Sequence, residues 1–149
     1  MKFLYGLSLI LSFSLSLHAQ EKIHQDSVAV VQVIQNMFTA MKTSDTTLLK
    51  TCFSPTTIFQ TIANKNGVIE IKNQPLQDFI NSIGKQPSGS LDERIAIDKL
   101  LIDDHLASVW TPYQFYFKDQ YSHQGVNSFQ LVKHRDGWKI QYLIDTRRK

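Results

Sequence analysis

The chain has 149 residues, of which 42% are hydrophobic and 19% are charged, and its formal net charge is +3. This length favours a single domain, and the apolar content excludes disorder for most of the chain. A net charge this small, with no block of like charge, argues against nucleic acid as a partner. The single cysteine, Cys52, cannot form an internal disulfide and is expected to be buried as a small apolar residue.

The first segment has the pattern of a secretory signal peptide. Lys2 supplies a positive charge, residues 3–17 carry none, and Ala19 offers a small residue at the cleavage point. The apolar stretch is shorter than the roughly 18 to 20 residues that cross a bilayer, which favours cleavage over a membrane anchor. We therefore expect residues 1–19 to be removed after Ala19, a periplasmic or secreted location, and one mature domain, residues 20–149, without a membrane span.

Two helices are predicted next. Asp26 or Ser27 can cap the first helix. Its apolar face recurs at helical spacing, through Val31, Ile34, Phe38 and Met41. Asp45 can cap a short second helix, which Pro55 stops.

A hairpin and a third helix follow. Residues 57–62 are β-branched or aromatic and predict a strand. Asn66-Gly67 is a strong turn signal, and residues 68–71 return as a second strand. Asn73 can cap a third helix, which Gly84 closes as its C-terminal glycine.

The rest of the chain reads as strands. They are expected at Arg94–Ile102, Leu106–Lys118, Tyr121–Lys133 and Trp138–Asp145, the last two joined by a turn at residues 135–137. Helices followed by a run of strands predict an α+β fold with an antiparallel sheet. The second of these strands is apolar on both faces, so helices can cover one face and a second subunit the other, as a homodimer. Its side chains alternate between the two faces of the sheet, but this alternation does not decide which face is concave.

Several phrases of the sequence resemble the nuclear transport factor 2-like superfamily. They lie at residues 37–45, between residues 48 and 59, and at residues 125–140. The superfamily includes ketosteroid isomerases, scytalone dehydratases and SnoaL-like polyketide cyclases. Residues 109–113 and 145–148 resemble most a bacterial branch labelled "putative lumazine-binding". The resemblance implies a cone-shaped α+β fold, with N-terminal helices packed on a long, curved, mainly antiparallel sheet.

The resemblance also allows the isomerase chemistry to be checked position by position. The carboxylate at the end of the first strand is matched here by Gln60 or Thr61, and the second acid by Asn127. The assisting tyrosine of the first helix is matched by Met37 or Phe38. None of these side chains titrates as a general base, which argues against isomerase chemistry in its known arrangement.

Two other side chains remain as candidate bases. Asp145 ends an apolar strand where the sheet is expected to open, although it can equally pair with Arg147 or Arg148 or lie at the surface. His123 shares a strand face with Asn127. The spacings of the histidines and acids resemble no zinc or iron site, and no cofactor is expected.

The leading hypothesis is an exported protein that holds a flat, mainly apolar small molecule in a pocket. The first alternative is an isomerase, dehydratase or cyclase with an unusual base, and the second is a non-catalytic interaction domain whose cone is filled. An acid pair deep in the cone would favour the enzyme. The predicted ligand-binding residues are Met37, Met41, Phe59, Gln60, Trp110, Tyr113, Asn127 and Phe129.

Overall fold

The computed structural model describes the backbone of residues 4–149 and the side chains of residues 20–149. Residues 1–3 and the side chains of the predicted signal peptide lie outside the described part, so its cleavage stays a prediction. Three helices and seven strands follow in chain order: α1 (Leu4–Thr43), α2 (Thr46–Thr51), β1 (Phe53–Lys65), β2 (Val68–Asn73), α3 (Leu76–Gly84), β3 (Leu91–Ile95), β4 (Lys99–Asp103), β5 (Leu106–Phe117), β6 (Gln120–His134) and β7 (Gly137–Arg148).

The seven strands form one sheet in the order β2-β1-β7-β6-β5-β3, and β4 also pairs with β5. Every pairing is antiparallel except that of β1 with β7, which is parallel. The predicted hairpin between β1 and β2 is confirmed, because Asn66 and Gly67 both have positive φ, at 53° and 87°. The helices pack on this sheet, so the expected α+β architecture is confirmed.

Irregularities in three long pairings curve the sheet. The register shifts once between β5 and β6, once between β6 and β7, and once between β1 and β7. A bulge bends its strand and increases the local twist, which gives the sheet a concave face.

The single strand predicted for Arg94–Ile102 is in fact two. The pairing register with β5 shifts by one residue between Ile95↔Tyr113 and Lys99↔Trp110. Pro112 lies opposite this break, and proline has no N–H to donate to a neighbouring strand. The apolar alternation of the segment carries no sign of this interruption, which its partner strand imposes.

Of the caps predicted for the first two helices, that of α2 is confirmed and that of α1 is wrong. Asp45 caps α2, because its carboxylate accepts hydrogen bonds from the backbone N–H of Thr47 (3.0 Å) and Leu48 (2.9 Å). Asp26, in contrast, lies inside α1 and is buried. It accepts hydrogen bonds from Trp138 Nε1 (3.0 Å) and from Lys133 Nζ, so it fastens α1 to the β6–β7 hairpin.

The predicted ends of the third helix are also wrong. Asn73 is the last residue of β2, and α3 starts after Pro75 without a side-chain cap. Gly84 is the last helical residue rather than a left-handed terminus. A Cβ at Gly84 would lie 2.9 Å from Thr46 Cγ2, so the glycine allows α2 and α3 to pack closely.

The concave face of the sheet and the helices enclose the core. The buried side chains of α1, including Ile34, Met37 and Met41, pack there against Phe129 and Leu143 of the sheet. The opposite face of the sheet is left open, with Trp110 of β5 45% exposed. Within the described residues, no helix is both long enough and apolar enough to cross a bilayer.

Candidate functional site

A cavity of about 160 Å³ lies between the concave face of the sheet and helices α1 and α3. Most of its wall is apolar, and polar side chains from β3, β5, β6 and β7 converge on one side. The lining residues are Met37, Phe38, Met41, Phe59, Phe79, Ile83, Leu91, Glu93, Tyr113, Phe115, His123, Asn127, Leu143, Asp145 and Arg147. An apolar wall with a few placed polar groups is typical of a small-molecule site.

The fold brings most of the predicted site residues together. Both candidate bases and five of the eight predicted ligand-binding residues line this cavity. They are His123, Asp145, Met37, Met41, Phe59, Tyr113 and Asn127.

Three predicted ligand-binding residues lie elsewhere. Trp110 is on the outer face of the sheet, because β5 turns Val109, Thr111 and Tyr113 inward. Gln60 is outside the cavity, where its side chain bonds Asn73 (2.8 Å). Phe129 is fully buried in the core beneath the cavity.

Glu93 of β3 is the principal polar residue that the sequence analysis missed. Its side chain is partly accessible through the cavity, and its Oε1 accepts a 2.8 Å hydrogen bond from Asn127 Nδ2. The pKa of Glu93 is raised from its ordinary value to about 7, chiefly by enclosure in protein and also by the nearby carboxylate of Asp145. The hydrogen bond from Asn127 and the charge of Arg147 act in the opposite direction.

Asp145 of β7 is held by three partners on the same wall. It is only 4% exposed, and it accepts hydrogen bonds from Thr61 Oγ1 (2.6 Å) and Tyr113 Oη (3.3 Å). Arg147 Nε pairs with the same carboxylate at 2.9 Å. Asp145 therefore lines the cavity and forms an ion pair with Arg147, and it does not lie at the surface.

The position of Tyr113 depends on a glycine in the neighbouring strand. Tyr113 pairs with Gly125, and its hydroxyl donates a 2.9 Å hydrogen bond to the carbonyl of Thr146. A Cβ at Gly125 would lie 1.8 Å from that carbonyl oxygen and 2.7 Å from the Tyr113 ring. Glycine is therefore required for the ring to cross β6 and reach Asp145.

His123 lies at the mouth of the cavity. Its ring is 5.0 Å from that of Phe115 and 5.8 Å from that of Tyr113, measured between centroids. Burial lowers the pKa of His123, and the charge of Arg147 lowers it further, so the imidazole is neutral at pH 7.

The chemistry available here is that of a carboxylic acid beside a fixed ion pair. Glu93 can give or take a proton near neutral pH, whereas Asp145 has hydrogen-bond partners on both oxygens. From Gln20 to Lys149, no three histidine, cysteine or acidic side chains come together as a metal site would require.

The sequence contains only weak indications of the cavity residues that the sequence analysis missed. Glu93 stands in the charged run Asp92-Glu93-Arg94, which reads as a solvated strand end. Alternation along a strand places Asp92 and Glu93 on opposite sides, and that alternation was the one signal that could have separated them. Phe79 and Ile83 recur at helical spacing on one apolar face of α3, and this face borders the cavity.

Comparison with solved structures confirms the cone-shaped nuclear transport factor 2-like fold. A protein of this fold and unknown function from Shewanella baltica matches with a TM-score of 0.67 and 19% identity, over 84% of this chain and 95% of its own. One from Silicibacter pomeroyi matches with a TM-score of 0.67 and 14% identity, over 85% and 98%. A protein from Streptomyces avermitilis, described as a "putative dehydratase", matches with a TM-score of 0.63 and 11% identity, over 85% and 98%.

A search of curated proteins finds no match to this chain. The model of one protein family, described as "putative lumazine-binding", matches residues 25–141. This range includes both β3 with Glu93 and β6 with Asn127, and it covers most of the chain. The chain therefore belongs to the "putative lumazine-binding" family of the nuclear transport factor 2-like fold.

Proposed function

We propose that this protein binds a compact, mainly apolar small molecule in the cavity between α1, α3 and the sheet. The observation that carries the proposal is the cavity itself, which is about 160 Å³ in volume and has an apolar wall with clustered polar groups. An apolar cavity of about 150 Å³ accommodates a ligand the size of benzene. The alternative of a filled cone predicts no such space.

The ligand is expected to be flat. Phe59 and Phe79 meet edge to face with centroids 5.0 Å apart, and Phe115 and Tyr113 complete an aromatic wall. The family name points to lumazine, a flat nitrogen heterocycle, which supports the same ligand shape. The fold itself hosts many unrelated functions and supports no particular ligand.

Proton-transfer catalysis is the second candidate function, and Glu93 favours it. A general base works best when its pKa lies near the operating pH, and the pKa of Glu93 is about 7. Glu93 and Asp145 also place two acids in the cone, and an acid pair there was expected to favour the enzyme. Glu93 would then act in the role that we had assigned to Asp145 or His123.

Export remains part of the proposal. It is supported by the leader pattern of residues 1–19. The side chains that fasten α1 to the sheet, such as Asp26 and Ile34, follow the predicted cleavage point. N-terminal sequencing of the protein from a cell envelope fraction tests this, with Gln20 as the expected first residue.

A homodimer through the outer face of the sheet is the remaining part of the proposal. Several large apolar side chains on this face are exposed, including Ile58 (52%), Leu101 (70%) and Trp110 (45%). Contiguous exposed apolar surface is typical of a protein interface.

Ligand-observed NMR with a set of single-ring and two-ring compounds, including lumazine, tests the binding function. Leu91 lies half-buried on the cavity wall, so the Leu91→Trp variant should fill the cavity and abolish binding. Trp110→Ala is the matched control, because Trp110 lies on the opposite face and its loss should leave binding unchanged. Equal binding by wild type and Leu91→Trp would place the ligand outside this cavity and refute the proposal.

A further inference from the structure

The charges that face the cavity do not cancel. Asp145 and Arg147 pair with each other at 2.9 Å, which leaves Glu93 as the acid without a cationic partner among the described side chains. Its one described hydrogen bond comes from the neutral amide of Asn127. The other titratable groups nearby are neutral at pH 7, because burial raises the pKa of Tyr113 and lowers that of His123. The cavity therefore carries one uncompensated negative charge when Glu93 is ionised.

The rest of the wall suits a cation as well. Aromatic rings from three elements line the same cavity as Glu93, namely Phe59, Phe79 and Phe115. The face of an aromatic ring attracts a cation within about 6 Å, and this attraction strengthens when the cation is removed from water. An anionic ligand would instead meet the uncompensated carboxylate of Glu93, since the Arg147 guanidinium is already paired with Asp145.

We propose that the cavity takes a compact organic cation, an amine on a small apolar or aromatic body, with the carboxylate of Glu93 as its counter-ion. An ammonium group that donates to Glu93 forms a charge-assisted hydrogen bond, which is about twice as strong as a neutral one. The inference rests on the proposed function and names the ligand class of the same site.

Binding of such a cation is linked to a proton. The cation requires ionised Glu93, so at a pH below the pKa of about 7 it must displace a proton from this carboxyl into solvent. The affinity should therefore rise about tenfold for each pH unit up to about pH 7 and level off above it. Asp145, Arg147 and His123 face Glu93, but Arg147 stays charged throughout and His123 stays neutral above pH 7.

Three probes of one shape and different charge test the inference. Benzylamine (protonated at pH 8), benzyl alcohol and benzoate are titrated into the wild-type protein at pH 8 and pH 5 and followed by calorimetry or NMR. At pH 8 we expect benzylammonium to bind at least tenfold more tightly than benzyl alcohol, and benzoate to bind most weakly. At pH 5 the advantage of benzylammonium should disappear.

Two variants test whether the preference for benzylammonium depends on Glu93. Glu93→Gln should remove the preference for benzylammonium, whereas Glu70→Gln, an exposed change on β2, should keep it. Equal or tighter binding of benzyl alcohol or benzoate by wild type at pH 8 overturns the inference and leaves the proposed binding function intact. Failure of all three probes to bind overturns both.

Discussion

Asn127 Nδ2 donates a 2.8 Å hydrogen bond to Glu93 Oε1 across the intervening strand β5. The two residues are 34 positions apart in the chain. This bond orients a cavity carboxylate whose pKa of about 7 lets it change its charge near neutral pH. Asn127 thus takes part in the chemistry of the site through Glu93, although its own side chain cannot titrate.

Replacing Glu93 with Gln should change how stability depends on pH. The folded state raises the pKa of Glu93 from 4.5 to about 7, so the stability that its bound proton contributes is complete below pH 4.5 and is lost as the pH rises through 7. Gln cannot ionise. The free energy of unfolding of Glu93→Gln should therefore equal that of wild type at pH 4 and exceed it at pH 8 by up to about 3 kcal/mol, at about 1.4 kcal/mol per pKa unit. The difference is smaller where cavity water solvates the carboxylate. Urea unfolding at both pH values measures this. A difference that does not vary with pH would contradict the pKa assignment.

Two Thr→Val substitutions should have opposite effects on the free energy of unfolding. The hydroxyl of Thr111 is fully buried without a partner among the described residues, whereas that of Thr61 donates to Asp145 at 2.6 Å. Removing an unpaired buried hydroxyl avoids a desolvation cost, while removing a bond to a charged group forfeits about 1.5–3 kcal/mol. Thr111→Val should raise the free energy of unfolding by about 1 kcal/mol and Thr61→Val should lower it. Chemical denaturation of both variants decides the point, and a loss in Thr111→Val would reveal an undetected partner for its hydroxyl.

Gly125→Ala should be severely destabilising. The new methyl would lie 1.8 Å from the carbonyl oxygen of Thr146 and 2.7 Å from the Tyr113 ring, so the backbones of β6 and β7 must separate and the ring must also shift. We expect a loss of about 3 kcal/mol or more. Gly89→Ala is the matched control, because Gly89 has a positive φ of 85° but no atom near the position of an added Cβ. This variant should lose only about 1–2 kcal/mol of the free energy of unfolding. Similar losses in thermal unfolding would show that the close approach at Gly125 is relieved at little cost.

Trp110→Lys should shift the protein from dimer to monomer. Trp110 exposes 45% of its surface on the outer face of the sheet, where a lysine would bring a charge into the proposed interface. Val68→Lys serves as the control, since Val68 is also exposed (62%) but lies at the tip of the β1–β2 hairpin on its other face. Sedimentation velocity distinguishes the two states. A monomeric wild-type protein would remove the dimer from the proposal.

Local signals in the sequence predicted most of the fold. Asn66-Gly67 specifies a tight turn through backbone preference alone, and Asp45 caps α2 through bonds to residues two and three positions away. Such features depend on neighbours in the chain. Asp26 reads equally well as a cap, but Trp138 and Lys133 bind it from more than 100 positions away. No local pattern contains that contact.

The site was predicted less completely because its polar residues depend on long-range pairing. Resemblance to the superfamily directed attention to Gln60 and Asn127, the positions where related enzymes carry acids. The titrating carboxylate comes instead from Glu93 on β3. The alternation in β5 places Trp110 and Tyr113 on opposite faces, but the choice of the concave face needed the packing of α1 against the sheet.

The parallel pairing of β1 with β7 has a consequence for the order of events during synthesis. Thr61 and Asp145 are 84 positions apart, and β1 has only β2 beside it until β7 emerges from the ribosome. Pairing over such a separation is slow, because the entropy of closing a long loop is lost before any stabilising contact forms. The cavity wall that carries Asp145 and Arg147 is therefore assembled last. Premature termination within β7 would leave a nascent chain with an unpaired strand edge and no finished pocket.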